Sequence, residues 1–210
     1  MGRASSNKDY PLQKPRTSMT PEREEKIRRV LSWRQKGLSL VLANIHDPHN
    51  VSAIYRSCDA FGVPRVHLYY TDTPFPVLGA KSSASARKWV SSVRHKNAGD
   101  LMAALKAEGM RVYATSFSAA SRPVGELDLT LPTAFILGNE HRGVDAELVP
   151  GTDGEVHIPM YGMIQSFNVS VAAAILLAEA ARQRSAAGMY DRPSYSEEEF
   201  AALYDEWWRK

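Results

Sequence analysis

The chain has 210 residues, of which 44% are hydrophobic and 23% charged, with 13 glycines, 12 prolines and a single cysteine. These values are ordinary for a globular protein and exclude a wholly disordered chain, a collagen-like chain and a disulfide scaffold. The formal net charge of +3 is uneven, since residues 1–36 carry +6 and the remainder carries −3, which favours either a polyanionic partner or a solubilising tail at the N-terminal end.

The first half of the chain alternates predicted helices with short apolar strands. Residues 1–19 lack apolar periodicity, so we expect a flexible basic leader. Thr20-Pro21-Glu22 predicts a helix start, with a hydroxyl N-cap and a proline at the first helical position, and this helix is expected to end near Lys36. A strand, a helix capped by Asn50 and a second strand are then predicted over residues 38–42, 50–62 and 65–70. The stretch 71–96 is expected to form a long loop.

The second half continues the same alternation. Helices are predicted over residues 98–108 and 166–187, and strands over residues 110–115, 133–137 and 155–158. Ser196 and Glu199 form a capping box for a C-terminal helix that ends in Trp207 and Trp208. Short apolar strands that alternate with helices predict an α/β domain, in which helices cover both faces of a parallel sheet.

The common nucleotide and metal motifs are absent from the sequence. It contains no GxxxxGK[ST], no GxGxxG and no GxSxG pattern, which excludes a P-loop, a dinucleotide fingerprint and a nucleophile elbow. His46, Asp47 and His49 lie close together but lack the usual ligand spacing, and one cysteine cannot build a zinc–thiolate site. We therefore expect no metal.

Three features of the sequence bear on localisation. No window approaches about eighteen uninterrupted apolar residues, so no membrane span is expected. The N-terminal residues lack the apolar core of a secretory signal. Cys58 has no second cysteine with which to form an internal disulfide, which fits a reducing compartment. We expect a cytoplasmic protein.

The first candidate motif lies on the helix after the first strand. Asn50 falls at the expected N-cap, where its amide oxygen can accept from a free backbone N–H. Arg56 lies about 200° around the helix from Ile54 and thus away from the core stripe. It shares a face with Ser52 and Asp59. Such a guanidinium is either solvated or reserved for a phosphate, a carboxylate or a partner subunit.

The second candidate motif is the segment from Phe135 to Gly143. Its apolar strand runs into Gly138-Asn139-Glu140, which places a carboxylate at the carboxyl end of a parallel strand, where open α/β sheets hold their ligands. The alternative is a plain strand-to-loop turn, in which the glycines serve backbone geometry.

The third candidate motif begins at Ile158, in a loop dense in glycine, methionine and aromatic residues. The loop feeds a helix that we expect to be capped by Ser166, with Asn168 in its first turn. From Val169 to Ala178 this helix is apolar nearly all round, which predicts burial on every side. In a chain of this size, such burial implies packing against a second subunit as well as the sheet.

Together and in this order, the three motifs resemble those of the SpoU/TrmH family of SPOUT RNA 2′-O-ribose methyltransferases. The patterns N-x-x-x-x-x-R, G-x-E and I-P-M-x-G-x-x-Q-S-x-N-V-S-V-A are present without a gap, and the resemblance extends from about Arg28 to Arg184. It implies a SPOUT domain over residues 20–188, with an N-terminal helix and a C-terminal deep trefoil knot, and a helical extension over residues 189–210.

The resemblance also implies a reaction and its participants. S-adenosylmethionine is expected as the methyl donor, tRNA as the substrate, and a homodimer formed through the knot and the helix over residues 166–187. Arg56 is expected to orient the ribose 2′-oxygen or to help remove its proton. The other catalytic residues implied are Asn50, Glu140, Ser166 and Asn168, and the cofactor contacts are Thr115, Gly138, Ile158 and Phe167.

The basic residues then suit an RNA surface. Cations on phosphates, with an aromatic ring for stacking, favour a loop of folded RNA over a rigid duplex. The expected RNA-binding residues are Lys81, Arg87, Lys88, Trp89 and Arg94, extended by Arg28 and Arg34 of the N-terminal helix.

Short extensions at both ends match the family members that methylate guanosine 18 in the D-loop of tRNA. The same chemistry on an rRNA guanosine or on a wobble nucleotide of tRNA stays open. A catalytically silent RNA-binding module is a further alternative, although the intact motifs argue against it. A metabolite-binding α/β protein leaves the basic stretches unexplained.

Overall fold

The computed structural model describes residues 20–72, 74–77, 86–140 and 142–210. The strands in these ranges are β1 (Leu38–Ala43), β2 (Arg65–Tyr69), β3 (Ser91–His95), β4 (Arg111–Thr115), β5 (Arg122–Pro123), β6 (Thr133–Leu137) and β7 (Gly154–His157). The helices are α1 (Pro21–Ser32), α2 (Pro48–Ala60), α3 (Ala98–Ala107), α4 (Val169–Ala186) and α5 (Glu197–Trp208). The seven strands described form one sheet in the order β3-β2-β1-β6-β4-β7-β5, and each of their pairings is parallel.

Helices cover both faces of this sheet. Successive side chains of a strand point to opposite faces, and β1 illustrates the division. Leu40 and Leu42 pack in the core that contains α2 and α4, whereas Val41 and Ala43 pack in the core that contains α3. The predicted α/β architecture is confirmed.

The helices α1 and α5 pack on each other. Ile27 and Leu31 of α1 form a small core with Trp207 of α5, and the predicted capping box of Ser196 and Glu199 is present. A cavity of about 880 Å³ lies between these helices and the amino ends of the strands. The two terminal helices therefore lie next to the amino ends of the strands, on the side of the sheet opposite the carboxyl ends.

The helix α1 is shorter than predicted. It begins at Pro21 behind the Thr20 cap, as expected, but it ends at Ser32 rather than near Lys36. The reason lies in the two residues after Trp33, because Arg34 and Gln35 are each only 1% exposed. The chain leaves the helix there to bury these two polar side chains beneath the terminal helices.

The strands β3 and β5 were not predicted. β3 lies inside the stretch that the sequence indicated as a loop, and it is one of the two edge strands of the described sheet. Its sequence, Ser-Ser-Val-Arg-His, lacks an apolar run because edge strands are commonly polar. β5 contains only two residues, too few for any periodicity.

Within one chain the helix α4 is buried on one face, and the burial of its other side against a second subunit stays a prediction. Ala173, Leu177 and Ala180 are completely buried against the core, whereas Val171 is 44% exposed. The sheet can cover only one side of the helix. No helix within the described ranges is long and apolar enough to span a membrane.

Candidate active site

A cavity of about 570 Å³ opens at the carboxyl ends of β4, β6 and β7. Loops after parallel strands are where open α/β sheets hold ligands. Seven residues that the sequence indicated as catalytic or cofactor-binding line this cavity: Thr115, Gly138, Glu140, Ile158, Ser166, Phe167 and Asn168. Residues from three separate segments of the chain thus meet around one space.

The loop after β6 approaches its own strand so closely that position 138 requires glycine. Asn139 and Gly143 exchange two backbone hydrogen bonds of 2.9 and 2.8 Å, and Gly143 has a φ of +73°. A Cβ at Gly138 would lie 2.1 Å from the Gly143 carbonyl carbon. The tight turn therefore brings bare backbone to the cavity wall next to Glu140.

A chain of hydrogen bonds joins the three sequence motifs. Asn50 Nδ2 donates to Glu140 Oε1 at 2.8 Å, and Asn168 Nδ2 donates to Asn50 Oδ1 at 3.1 Å. Asn168 Oδ1 in turn accepts from the backbone N–H of Ser170 at 2.9 Å. Asn50 is outside the cavity lining but holds two residues that are part of it.

The structure corrects the two helix caps expected near this site. Asp47, not Asn50, caps α2, because its side chain accepts from the His49 backbone N–H with Pro48 at the first helical position. Asn168, not Ser166, caps α4. Asn50 is free of the capping role, so its whole amide serves the contacts with Glu140 and Asn168.

Arg56 lies apart from the cavity of its own chain. It is exposed on α2 and lies about 120° around the helix from Asn50, six residues earlier. Within the described residues it makes no hydrogen bond or ion pair. Its expected neighbour Ser52 is buried instead, at 4% exposure. One chain alone does not bring Arg56 to the other motif residues.

Three of the predicted RNA-binding residues are exposed on β3 or directly before it. Arg87 and Lys88 lie in a short 3₁₀ turn before β3, and Arg94 is exposed on β3. The Arg94 guanidinium lies 5.0 Å from the centre of the Phe75 ring. Lys81 falls outside the described residues.

Arg28, Arg34 and Trp89 have partners within the fold. Arg28 is exposed but bonded to Glu24 at 3.1 Å and stacked on Tyr204. Arg34 is 1% exposed and paired with Asp59, so its expected RNA contact is wrong: a buried guanidinium cannot reach a phosphate. The half-buried Trp89 ring packs 4.8 Å from that of Trp207, so it has a packing role within the fold, and its stacking on an RNA base stays a prediction.

No sequence motif points to Asn44, which the structure places at the centre of the loops beside the cavity. Asn44 is completely buried and has a φ of +49°. The only sequence signal is an asparagine directly after an apolar strand, since asparagine tolerates the left-handed region. Its contacts are with residues far along the chain, which a sequence pattern does not show.

A charged hydrogen bond beside the cavity joins the loops after β2 and β6. Arg142, in the loop after β6, donates to Asp72 at 2.6 Å. This hydrogen bond lowers the pKa of the Asp72 carboxyl below its usual value. Within the described ranges, no group of three or more His, Cys, Asp or Glu side chains could hold a metal ion.

Known proteins share both the sequence and the fold. A model of the SpoU rRNA Methylase family matches residues 37–178. The tRNA (guanosine(18)-2′-O)-methyltransferase of Thermus thermophilus is 42% identical over 191 residues, which cover 91% of this chain and 98% of that protein. The protein of the same name from Escherichia coli is 41% identical over 174 residues, covering 83% and 76% of the two chains.

The solved structures agree. The A. aeolicus TrmH/SpoU tRNA modifying enzyme has a TM-score of 0.83 and 40% identity, over 89% of this chain and 95% of that one. The SpoU methyltransferase AviRb from Streptomyces viridochromogenes, in complex with the cofactor AdoMet, has a TM-score of 0.63 and 26% identity, over 74% and 62%. The chain belongs to the SpoU rRNA Methylase family.

Proposed function

We propose that this protein is an S-adenosylmethionine-dependent methyltransferase that acts on the ribose 2′-hydroxyl of guanosine 18 in the D-loop of tRNA. The observation that carries the proposal is the hydrogen-bonded contact of Asn50, Glu140 and Asn168 beside a ligand-sized cavity. The relatives named above support the substrate, because they match this chain over most of its length and act on guanosine 18.

The cavity fits the methyl donor. Its volume of about 570 Å³ lies within the roughly 300–1,000 Å³ of small-molecule sites. The absence of a side chain at Gly138 lets the backbone of Gly143 fold against it, which shapes this wall of the cavity. Thr115, Gly138, Ile158 and Phe167 would hold the cofactor, which supplies a methyl group on a sulfonium centre.

The residues of this chain would then orient the ribose. Attack by the 2′-oxygen requires alignment with the breaking C–S bond, so positioning supplies much of the acceleration. Glu140, Ser166 and Asn168 line the cavity, and Asn50 holds two of them. Arg56 would orient the 2′-oxygen, or help to pass its proton to a neighbouring RNA phosphate, because a guanidinium itself stays protonated.

A homodimer would bring Arg56 to this site. In one chain the cavity lacks a cation from the first motif, while Arg56 is exposed and unpaired among the described residues. The segment before α4 presents apolar side chains that a partner would cover: Tyr161 is 98% exposed, Met163 99% and Ile164 61%. Contiguous exposed apolar patches commonly mark interaction surfaces, and these three side chains lie within four residues of the chain. Each active site would therefore use both subunits.

Two further properties belong to this proposal. The deep trefoil knot of the family would lie in the C-terminal part of the sheet, which the insertion of β6 between β1 and β4 supports. A crystal structure tests it by tracing residues 133–188 through the loops around them. A cytoplasmic location is supported by the tRNA substrate in the names of the relatives.

Methyl transfer to defined tRNA tests the function. The protein is incubated with S-adenosyl[methyl-³H]methionine and tRNA transcripts, and the modified nucleotide is mapped. We expect one methyl group per tRNA at guanosine 18, and none on a matched tRNA with 2′-deoxyguanosine at that position. Label in an rRNA fragment or at a wobble nucleotide would instead assign the same chemistry to another RNA, and RNA binding without transfer would indicate a silent module.

A further inference from the structure

We propose that Asn44 is a positioning residue, which clamps the loop after β6 on both sides of Glu140 and so sets the geometry of the cavity. The inference rests on the proposed function for its kinetic consequence. Its structural part, the fixing of a cavity wall, can be tested by cofactor binding alone.

The backbone of Asn44 is held in an uncommon conformation. It directly follows β1, and among the residues that the structure describes it is the only non-glycine with a positive φ. Asparagine enters the left-handed region at lower cost than most L-residues. A completely buried amide is expensive unless it is hydrogen-bonded, so its bonds define what it does.

The side chain of Asn44 joins two loops. Its Oδ1 accepts from the backbone N–H groups of Thr71 at 3.0 Å and Asp72 at 3.3 Å, in the loop after β2. Its Nδ2 donates to Asp145 Oδ2 at 2.9 Å, in the loop after β6. One amide group thus links the carboxyl ends of three neighbouring strands.

The backbone of Asn44 makes a second contact with the same loop. Its carbonyl oxygen accepts from Asn139 Nδ2 at 3.0 Å. Asn139 precedes Glu140, and Asp145 follows it, so the two contacts lie on either side of the catalytic carboxylate. Gly138, Gly143 and Val144 of this loop line the cavity. Loss of the contacts between Asn44 and this loop should therefore move both Glu140 and the cavity wall that would contact the cofactor.

Asn44→Asp tests the clamp with minimal change in shape. Aspartate also tolerates a positive φ and keeps the acceptor for Thr71 and Asp72, but it places a carboxylate against Asp145. We expect kcat for methyl transfer to fall about 10- to 100-fold, because misplacement of about 1 Å can cost about 100-fold. Cofactor affinity should fall by about 10-fold.

A second substitution should reverse these losses. Asp145→Asn in the Asn44→Asp chain restores an amide–carboxylate hydrogen bond with the donor and acceptor exchanged. The double variant should recover most of both kcat and the affinity for S-adenosylmethionine. A role confined to overall stability predicts instead that only the melting temperature falls and recovers, while kcat and cofactor affinity of the folded variants stay at wild-type values.

Asn97→Asp is the control for a new carboxylate pair, placed at the exposed surface. Asn97 caps α3, and its Nδ2 donates to Asp100 Oδ2 at 2.9 Å, so the substitution creates the same carboxylate pair away from the cavity. It should leave kcat and cofactor affinity unchanged. If Asn44→Asp does not fold, Asn44→Gly provides the same test, since glycine accepts the φ and removes the side-chain bonds.

Calorimetry with S-adenosylmethionine and the tRNA methylation assay give the readouts. A folded Asn44→Asp protein with wild-type affinity and kcat would overturn the inference, as would a double variant that regains stability alone. A wild-type protein that binds the cofactor but methylates no RNA would refute the proposed function, and the affinities would still test Asn44. Failure of the wild type to bind the cofactor would refute both.

Discussion

Asn50 and Glu140 are 90 residues apart in the chain, yet Asn50 Nδ2 donates a 2.8 Å hydrogen bond to Glu140 Oε1. Asn168 bonds to the other end of the same amide. The Asn50 side chain therefore has both its oxygen and its nitrogen committed, and it fixes two cavity residues relative to each other. Asn50 contacts Glu140 through an acceptor oxygen, and a hydrogen bond of this kind does not require the negative charge of the carboxylate.

Substitutions at Glu140 separate these two features. Glu140→Gln keeps an oxygen that can accept from Asn50, whereas Glu140→Ala removes it. We expect Glu140→Ala to lower the single-turnover rate of methyl transfer about 10- to 100-fold and Glu140→Gln to retain a larger share. Glu197→Gln, at the exposed start of α5, is the control. Equal losses in both Glu140 variants would show that the charge matters instead.

Mixed dimers test whether Arg56 acts across subunits. Arg56→Ala and Asn168→Ala homodimers should both be nearly inactive. If each site takes Arg56 from one protomer and Asn168 from the other, random mixing after unfolding and refolding gives dimers with one intact site. About a quarter of wild-type activity should then return, because half of the dimers are mixed and each has one working site of two.

Two outcomes would contradict this arrangement. No recovery on mixing would place both residues of each site in the same protomer. Near-full turnover of Arg56→Lys would remove the case for Arg56 altogether, since lysine lacks the planar fork that orients an oxygen and a phosphate together.

The sequence predicted the core of the fold because those signals are local. β6 occurs at the predicted residues, 133–137, as a completely buried apolar run. The helix cap at Thr20 and the capping box at Ser196 were also correct. The cap of α2 was misplaced because two polar residues, Asp47 and Asn50, both fit a helix start, and Pro48 favours the earlier one.

The roles of single side chains were harder to predict because they depend on distant partners. Arg34 resembles a surface cation in sequence, but its ion pair is with Asp59, 25 residues away. Trp89 packs on Trp207, 118 residues further along the chain. The cavity residues were found because family motifs record such long-range relationships, and Asn44 was assigned no role because no local pattern reports its contacts.

A buried histidine pair predicts how stability depends on pH. His67 of β2 is completely buried, and its Nδ1 lies 2.9 Å from Nε2 of His95 on β3. Burial, then His95 and Arg65, lower the pKa of His67 to about 4, whereas Asp100 and Glu108 oppose the lowering of the His95 pKa by burial. The unfolded chain, with a His67 pKa of 6.5, binds the proton first.

The folded protein should therefore lose stability as the pH falls from about 6.5 to about 4. The shift of the His67 pKa from 6.5 to about 4 accounts for at most about 3.5 kcal/mol of unfolding free energy, at about 1.4 kcal/mol per pKa unit. Urea unfolding at pH 7 and pH 5 measures the loss. His67→Leu should flatten the dependence, and His49→Gln, at an exposed histidine, should not. A wild-type stability equal at the two pH values would refute the assignment.

Arg34 and Arg87 both resemble surface cations in the sequence, but we expect substitutions at the two positions to have opposite effects on stability and on RNA binding. Arg34 is buried and donates to Asp59 and to the Val63 carbonyl, so Arg34→Met should lower the unfolding free energy by about 2–4 kcal/mol. It should not change how tRNA affinity depends on salt.

Arg87 is exposed beside Lys88, and Arg87→Ala should leave stability unchanged. Each phosphate contact releases counterions when the RNA binds. Loss of the Arg87 contact should therefore reduce the slope of log K for tRNA binding against log salt concentration by about 1. Lys106→Ala on the exposed side of α3 is the control, and an Arg87→Ala slope equal to that of Lys106→Ala would place the RNA on another surface.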